Sequence, residues 1–320
     1  MDSGMRPVET PVGTLLAVED GAVVRASGIP YARAERFRYP HSVRLADFGD
    51  PFVADSPAPA APQFLRGKDG DIRQSVLMSE ECQNLSIVFP ADIAPSEKLP
   101  VMVYFHGGSY VVGSGDGARY NPVRLVADER VVVVMVTYRL GLLGFLGGSK
   151  ERPANLGLLD GHYPLPNVEQ VEDAWIKIAQ RVDVLIGANM RESAYFVPQP
   201  PKYLGKMAQK VAELLVEKGS CEMYIEPARR FVRRHRAAGG NATSYVLRVG
   251  HPLNYHYSAH CTELALLFEN SCWDGDKLLA GSYPNERAEQ GRALRAIWAE
   301  FARSGVIRSE LAERARIEFA

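Results

Sequence analysis

The chain has 320 residues, 46% hydrophobic and 23% charged, which is the balance of a soluble globular protein with a sizeable core in one large or two modest domains. With 37 Lys and Arg against 38 Asp and Glu its formal net charge is −1, so no overall field draws it to nucleic acid or to an anionic membrane. The start, Met1 to Pro7, carries no apolar leader, no apolar run approaches the about 20 residues of a membrane helix, and Cys82, Cys221, Cys261 and Cys272 are too scattered for a disulfide framework or a zinc ribbon. A cytoplasmic protein is expected.

In chain order, Gly13 to Arg25 reads as two short strands around Glu19-Asp20-Gly21, because Asp-Gly between apolar runs signals a hairpin. Residues 48–75 have no period and many Pro and Ala, so they read as a surface loop. Strands follow at Leu85–Phe89, Pro100–His106, Arg130–Tyr138 and Asp183–Gly187, and the almost wholly apolar ones suit a sheet covered on both faces. Helical patterns occupy Val123–Asp128, Val168–Gln180 and Lys202–Lys218, the last with Leu204, Met207, Val211, Leu214 and Leu215 along one side. A strand at Ser244–Arg248 and helices at Cys261–Glu269 and Arg287–Arg303 complete the pattern. Strands alternating with helices predict an α/β fold with a mostly parallel central sheet, as a single domain over 1–320.

The motifs with chemical content begin at His106-Gly107-Gly108-Ser109-Tyr110. Successive glycines after a strand let the backbone turn sharply and leave amide N–H groups able to meet an oxyanion. A plain strand-to-helix turn is the alternative for this pentapeptide. His256 and His260 stand at i, i+4 beside Cys261, the spacing of helical zinc ligands, but neither the Glu of H-E-x-x-H nor a third ligand accompanies them. No metal and no cofactor is expected. The basic run Arg229-Arg230 with Arg233-Arg234-His235-Arg236 reads as a solvated helix face.

Six blocks in order give the chain a resemblance to the type B carboxylesterase family of α/β-hydrolases, which includes the cholinesterases. They are Gly28-Ile-Pro-Tyr-Ala32 with Arg36-Phe37, Ser79 to Leu85, His106 to Tyr110, Tyr138-Arg-Leu-Gly-Leu-Leu-Gly-Phe-Leu146, and Asn155-Leu-Gly-Leu-Leu-Asp160. The resemblance continues through Val184 to Phe196, Ser258 to Leu264 and Ile297 to Gly305. It implies hydrolysis of small-molecule carboxylic esters by a Ser-His-Glu triad without a cofactor. It makes Glu192 the triad acid, His260 the proton carrier, and the Gly107, Gly108 and Ser109 amides the oxyanion hole. It also implies a structural ion pair between Arg36 and Glu80 and a turn unlike the family's at Cys261, where relatives carry Gly; Cys82 stands at a position often disulfide-bonded in the family, but no Cys precedes it here, so a buried free thiol is expected.

The family's serine sits in G-x-S-x-G, and no serine of this chain stands in that pattern. Ser109 and Ser149 lack the second of the flanking glycines, and Ser114 and Ser282 lack both. Asp160 runs directly into Gly161-His162-Tyr163-Pro164, which resembles the stretch before the acid-bearing strand, so a deletion near 160/161 is inferred. The sheet is then short of its elbow strand. The strands near Val133 and Val184 must pair directly or leave unmatched groups costing about 1–3 kcal/mol each. Three outcomes stay open: an enzyme using another nucleophile such as Ser109 or Cys261, a binding protein on a hydrolase scaffold, and a damaged gene product.

Overall fold

The computed structural model describes residues 4–64, 77–94, 96–149, 153–161 and 175–319. The chain divides into two compact units, Met1–Leu165 and Pro166–Ala320. Each is built around its own sheet.

In the first unit β1 (Met5–Thr10), β2 (Gly13–Asp20) and β3 (Val23–Pro30) form an antiparallel meander, with Asp20 opposite Val23 across the expected turn at Gly21. Alternation along β2 buries Leu15 and Ala17 against Val24, Ala26, Ile29 and Leu45. At Gly28 the φ of 71° and an absent Cβ matter: a Cβ there would lie 2.6 Å from the Ser56 carbonyl oxygen, where β3 changes register. A small ribbon of β4 (Ala32–Arg33) and β5 (His41–Ser42) follows, and β6 (Phe52–Ala54) joins β2 in parallel, inside the stretch expected to be a loop. Residues 65–75 of that stretch lie outside the described residues.

The remaining strands of this unit are β7 (Asn84–Pro90), β8 (Val101–Phe105) and β9 (Val132–Thr137), in the order β1-β2-β3-β7-β9-β8. β8 and β9 run parallel, as the intervening helix Val123–Glu129 requires, while β7 is antiparallel to both its neighbours. The sheet is therefore mixed, because short turns at its N-terminal end can only return antiparallel strands. β8 is an edge strand among the described residues, and its apolar residues are not covered on both faces as its sequence suggested. Val101, Val103 and Phe105 are 58%, 53% and 41% exposed. Nor do the strands near Val133 and Val184 pair: β9 lies between β7 and β8. An apolar open edge is an aggregation template that a charge blunts. Val103→Lys is expected to lower aggregation of the purified protein, read by light scattering at matched concentration, without lowering the thermal midpoint.

A buried ion pair closes the first unit. The Arg139 guanidinium reaches Asp160 at 2.6 Å, with side chains 4% and 0% exposed, and Asp160 also accepts the Arg139 amide at 2.9 Å. Arg139 donates further to the Arg38 carbonyl at 3.0 Å. The helical turn Leu156–Asp160 is thereby tied to the end of β9. Arg36 and Glu80 pair as expected, with Nε 2.9 and 3.0 Å from the carboxylate oxygens. Cys82 is a free, buried thiol, pushed up to about 12 by burial and then by Asp160.

In the second unit β10 (Val184–Asn189) pairs in parallel with β11 (Ala242–Leu247), and β12 (Ile317–Phe319) adds antiparallel to β11. Between β10 and β11 one long helical rod runs as Gly205–Ser220, a π-helical turn Cys221–Ile225, and Glu226–Ala237. The apolar stripe read from the sequence is not its buried side. Leu204, Met207, Val211, Leu214 and Leu215 are exposed, while Ala212, Val216 and Ser220 face inward. Small side chains let the helix approach the turn after β10 closely enough for the Ser193 amide to donate to Ser220 Oγ at 3.0 Å. The basic run is held by local partners: Arg229 pairs with Glu226 at 3.0 Å, Arg234 lies over the Trp175 ring, and Arg236 donates to the Ala242 carbonyl. Of the expected helix Val168–Gln180 only residues 175–180 are described; 175–179 are helical and Gln180 lies in a turn. The helix expected from Cys261 shrinks to Leu264–Leu267, because Ser258 and Cys261 take φ of 49° and 69°, which a right-handed helix cannot contain. The closing helix Pro284–Ser304 buries Ala293, Leu294, Ile297 and Ala299.

Candidate active site

In the first unit, β8 delivers the loop that begins at His106. Gly108 has φ of 114°, and a Cβ there would lie 1.8 Å from the Val112 carbonyl oxygen, so only glycine fits. Ser109 and Tyr110 continue in the left-handed region at 55° and 60°. The Gly108 carbonyl accepts the Val111 and Val112 amides at 3.0 and 3.1 Å, and the Tyr110 ring packs tilted against Phe145 with centroids 4.5 Å apart. The amides of Gly107, Gly108 and Ser109 donate to no acceptor among the described residues. Beneath the loop His106 stacks on Tyr138 with 4.6 Å between ring centroids, and its carbonyl accepts the Tyr138 hydroxyl at 2.8 Å. Burial pulls the His106 imidazole down to about 4, so it is neutral at physiological pH.

In the second unit, Glu192 opens a 3₁₀ turn three residues beyond β10, and His260 lies in the irregular segment before Leu264. His260 Nδ1 and Glu192 Oε2 are 2.7 Å apart. Glu192 is buried and its other oxygen accepts the Asn189 amide at 2.7 Å, which fixes the carboxylate at the strand end. Two backbone bonds join the segments: the Arg191 amide to the Ser258 carbonyl, and the His260 amide to the Glu192 carbonyl. Arg191 in turn pairs with Glu213 at 2.6 Å, which holds the turn against the helix Gly205–Ser220. The two residues expected to act together are thus brought together on independently braced segments.

The electrostatics differ from those of a resting general base. His260 is raised to about 10, first by its hydrogen bond to Cys261 and then by Glu192, with burial opposing. At neutral pH the ring is an imidazolium. Around it stand Phe196, Tyr224 and Tyr195, with ring centroids 5.4, 5.9 and 6.2 Å from the imidazole. Tyr195 and Phe196 follow Glu192 so closely in sequence that an aromatic lining there was readable. Tyr224 carried no such signal, because the π-helical turn alone brings it round to face His260. His256 is not on a helix with His260; its Nδ1 meets the Ala194 carbonyl at 3.1 Å. Among the described residues no group of three or more His, Cys, Asp or Glu is arranged to hold a metal ion.

Residues 8–171, just over half of the chain, match the carboxylesterase family. The chain belongs to that family. It is 37% identical over 158 residues to a probable N-octanoylanthranilate hydrolase, AqdA2, of Rhodococcus erythropolis, which is 48% of this chain and 34% of that protein. It is 34% identical over 161 residues to the para-nitrobenzyl esterase of Bacillus subtilis, 48% of this chain and 32% of that one. The matched stretch thus spans about a third of the length of these relatives. A solved structure of a thermophilic PNB esterase superposes with a TM-score of 0.77 at 20% identity, over 96% of this chain and 92% of that one. The fold is accordingly the α/β-hydrolase fold. The family match contains the His106–Tyr110 loop and the Arg139–Asp160 pair and stops before Glu192 and His260. No described helix is long and apolar enough to cross a membrane.

Proposed function

We propose that this carboxylesterase-family chain retains the base-and-acid pair and the oxyanion loop of an ester hydrolase but has no serine elbow, and turns over little or no ester by serine chemistry. The roles are those of a serine triad without its first member. Gly107, Gly108 and Ser109 offer amides to an oxyanion, His260 carries the proton, and Glu192 orients the ring and balances its charge. The observation that carries the reading is the 2.7 Å His260–Glu192 contact in a chain with no G-x-S-x-G. Loss of the serine alone costs on the order of a million-fold in turnover in triad enzymes. The oxyanion donor from the residue after the serine is absent with it. The substrate class by family is a small-molecule carboxylic ester.

Intact-mass analysis after a fluorophosphonate, with His260→Ala alongside, tests this. The expected result is a folded chain without an adduct. A single serine adduct that disappears in His260→Ala overturns it.

A second reading, a non-catalytic binding protein on the same scaffold, draws on the exposed row Leu204, Met207, Val211, Leu214 and Leu215. Such a protein is monodisperse and cooperatively folded but inert to esters.

A further inference from the structure

We propose that the helix Gly205–Ser220 pairs with the same helix of a second copy of this chain, antiparallel and about a two-fold axis level with its midpoint. The row Leu204, Met207, Val211 and Leu214 advances in steps of three, four and three, and Lys218 continues it by four. That is the 3.5-residue repeat that keeps one seam of a helix facing another helix. All five residues are exposed. The chain's own packing uses a different side of the helix: Ala212, Val216 and Ser220 face inward, about a third of a turn round from the seam. The Ser193 amide on Ser220 Oγ at 3.0 Å and the Arg191–Glu213 pair at 2.6 Å brace that inner side. The seam is therefore presented on a fixed helix, and pairing orders little that is not already ordered.

The charges beside the seam decide the occupant and its direction. One flank carries Lys210 and Glu217, the other Ala208 and Leu215. Lys210 and Glu217 stand about 10 Å apart along the axis, too far to pair within one helix. Neither makes an ion pair among the described residues. In an antiparallel pair like flanks face each other, so Lys210 meets Glu217 of the second copy twice, and Leu215 meets Ala208 twice. Val211 then lies across from Leu214, and the axis passes level with Ala212 and Glu213, the midpoint of Gly205–Ser220. The two helices overlap along their whole length. A parallel pair sets Lys210 against Leu215 and Glu217 against Glu222, a charge on an apolar side chain and two like charges. Opposite charges placed almost evenly about a helix midpoint are self-complementary, which is the pattern of an isologous contact between two copies.

Lys218 falls in the seam across from Met207. Its stem can lie along the thioether while the ammonium reaches Glu222, 3.8 Å away in the same helix. A charged seam residue of this kind favours two helices over a larger bundle, whose interior would bury it. The π-helical turn Cys221–Ile225 ends the repeat. The inference gives the exposed row an occupant and is independent of ester chemistry. A fluorophosphonate adduct on serine sinks the preceding reading alone, and a chain that stays single sinks this one alone.

Sedimentation velocity of the full chain from 1 to 100 µM tests the pairing. The expected result is a mass that rises to two chains and stops there. Leu214→Glu is expected to leave a single chain throughout with an unchanged thermal midpoint, because this side chain is exposed in the isolated chain. Lys210→Glu sets two like-charged pairs across the seam and is expected to weaken the dimer about tenfold at low salt. Lys210→Glu combined with Glu217→Lys exchanges the charges and is expected to restore it. A mass of one chain at every concentration, or a mass that grows past two, overturns the proposal. So does a dimer that persists in Leu214→Glu, or one abolished by Val103→Lys, which would place the contact at β8. An exchange of charges that fails to restore the dimer overturns the antiparallel pairing. The concentration series needs no variant, so a substitution that fails to fold leaves the test intact.

Discussion

Arg139→Leu is expected to cost about 3–5 kcal/mol of folding stability, because it strands the Asp160 carboxylate in a site where the native side chain has no exposure. Asp160 would keep the Arg139 main-chain amide as a donor and lose three guanidinium contacts, those from Nε at 3.0 and 2.9 Å and from Nη2 at 2.6 Å. The Arg38 carbonyl would lose its guanidinium donor as well. Against total stabilities of about 5–15 kcal/mol the loss is large enough to populate unfolded chains. The three tryptophans, Trp175, Trp273 and Trp298, all lie in the second unit, so their fluorescence is a poor reporter of this change. Hydrogen exchange at the Ile87 and Val134 amides, which sit in the β7–β9 ladder, reads it directly. The double variant Arg139→Leu with Asp160→Leu is expected to recover much of the loss, since an apolar pair of similar size often matches a buried ion pair. The main-chain amide that Asp160 accepts would then remain unpaired at about 1–3 kcal/mol. A single variant with unchanged exchange at both amides would show that the pair is not what closes this unit.

Much of this architecture was legible because it is encoded locally. Asp20-Gly21 sets the hairpin, and the blocks around Arg36, Glu80, Arg139 and Asp160 supply the charges that the structure pairs. Glu192 and His260 were identified through the residues flanking them, and they meet at 2.7 Å. The errors arise where burial is decided by a partner rather than by the segment itself. The run Val101–Phe105 is as apolar as an interior strand, yet as an edge strand it exposes alternate residues. The helix Gly205–Ser220 has an apolar stripe, but contact with Ser193 selects its small-residue face instead. Cys261 read as part of a helix, and the positive φ that forbids one follows from how Arg191 and Val249 hold the Ser258 segment. The Tyr224 position depends on a one-turn change of helical pitch that no periodicity announces.

The His260 pair should also show in the pH dependence of stability. Its folded value of about 10 lies above the 6.5 of a free imidazole, so between those values the folded chain holds a proton that the unfolded chain releases. Stability from this pair is therefore complete below pH 6.5 and falls as pH rises through 10. His260→Gln removes the titrating group, so the gap in urea midpoint between the native chain and this variant is expected to be widest near pH 6. It should narrow steadily toward pH 10. The imidazole edge is 40% exposed, so solvent weakens the effect below that of a fully enclosed pair, but its direction is set. Glu192→Gln keeps a hydrogen-bond acceptor and removes the negative charge, and Cys261→Ala removes the other partner. Each variant should lower the pH at which the gap closes. A gap that stays constant from pH 6 to 10 would mean that His260 is neutral throughout. The imidazole would then be free to act as a base.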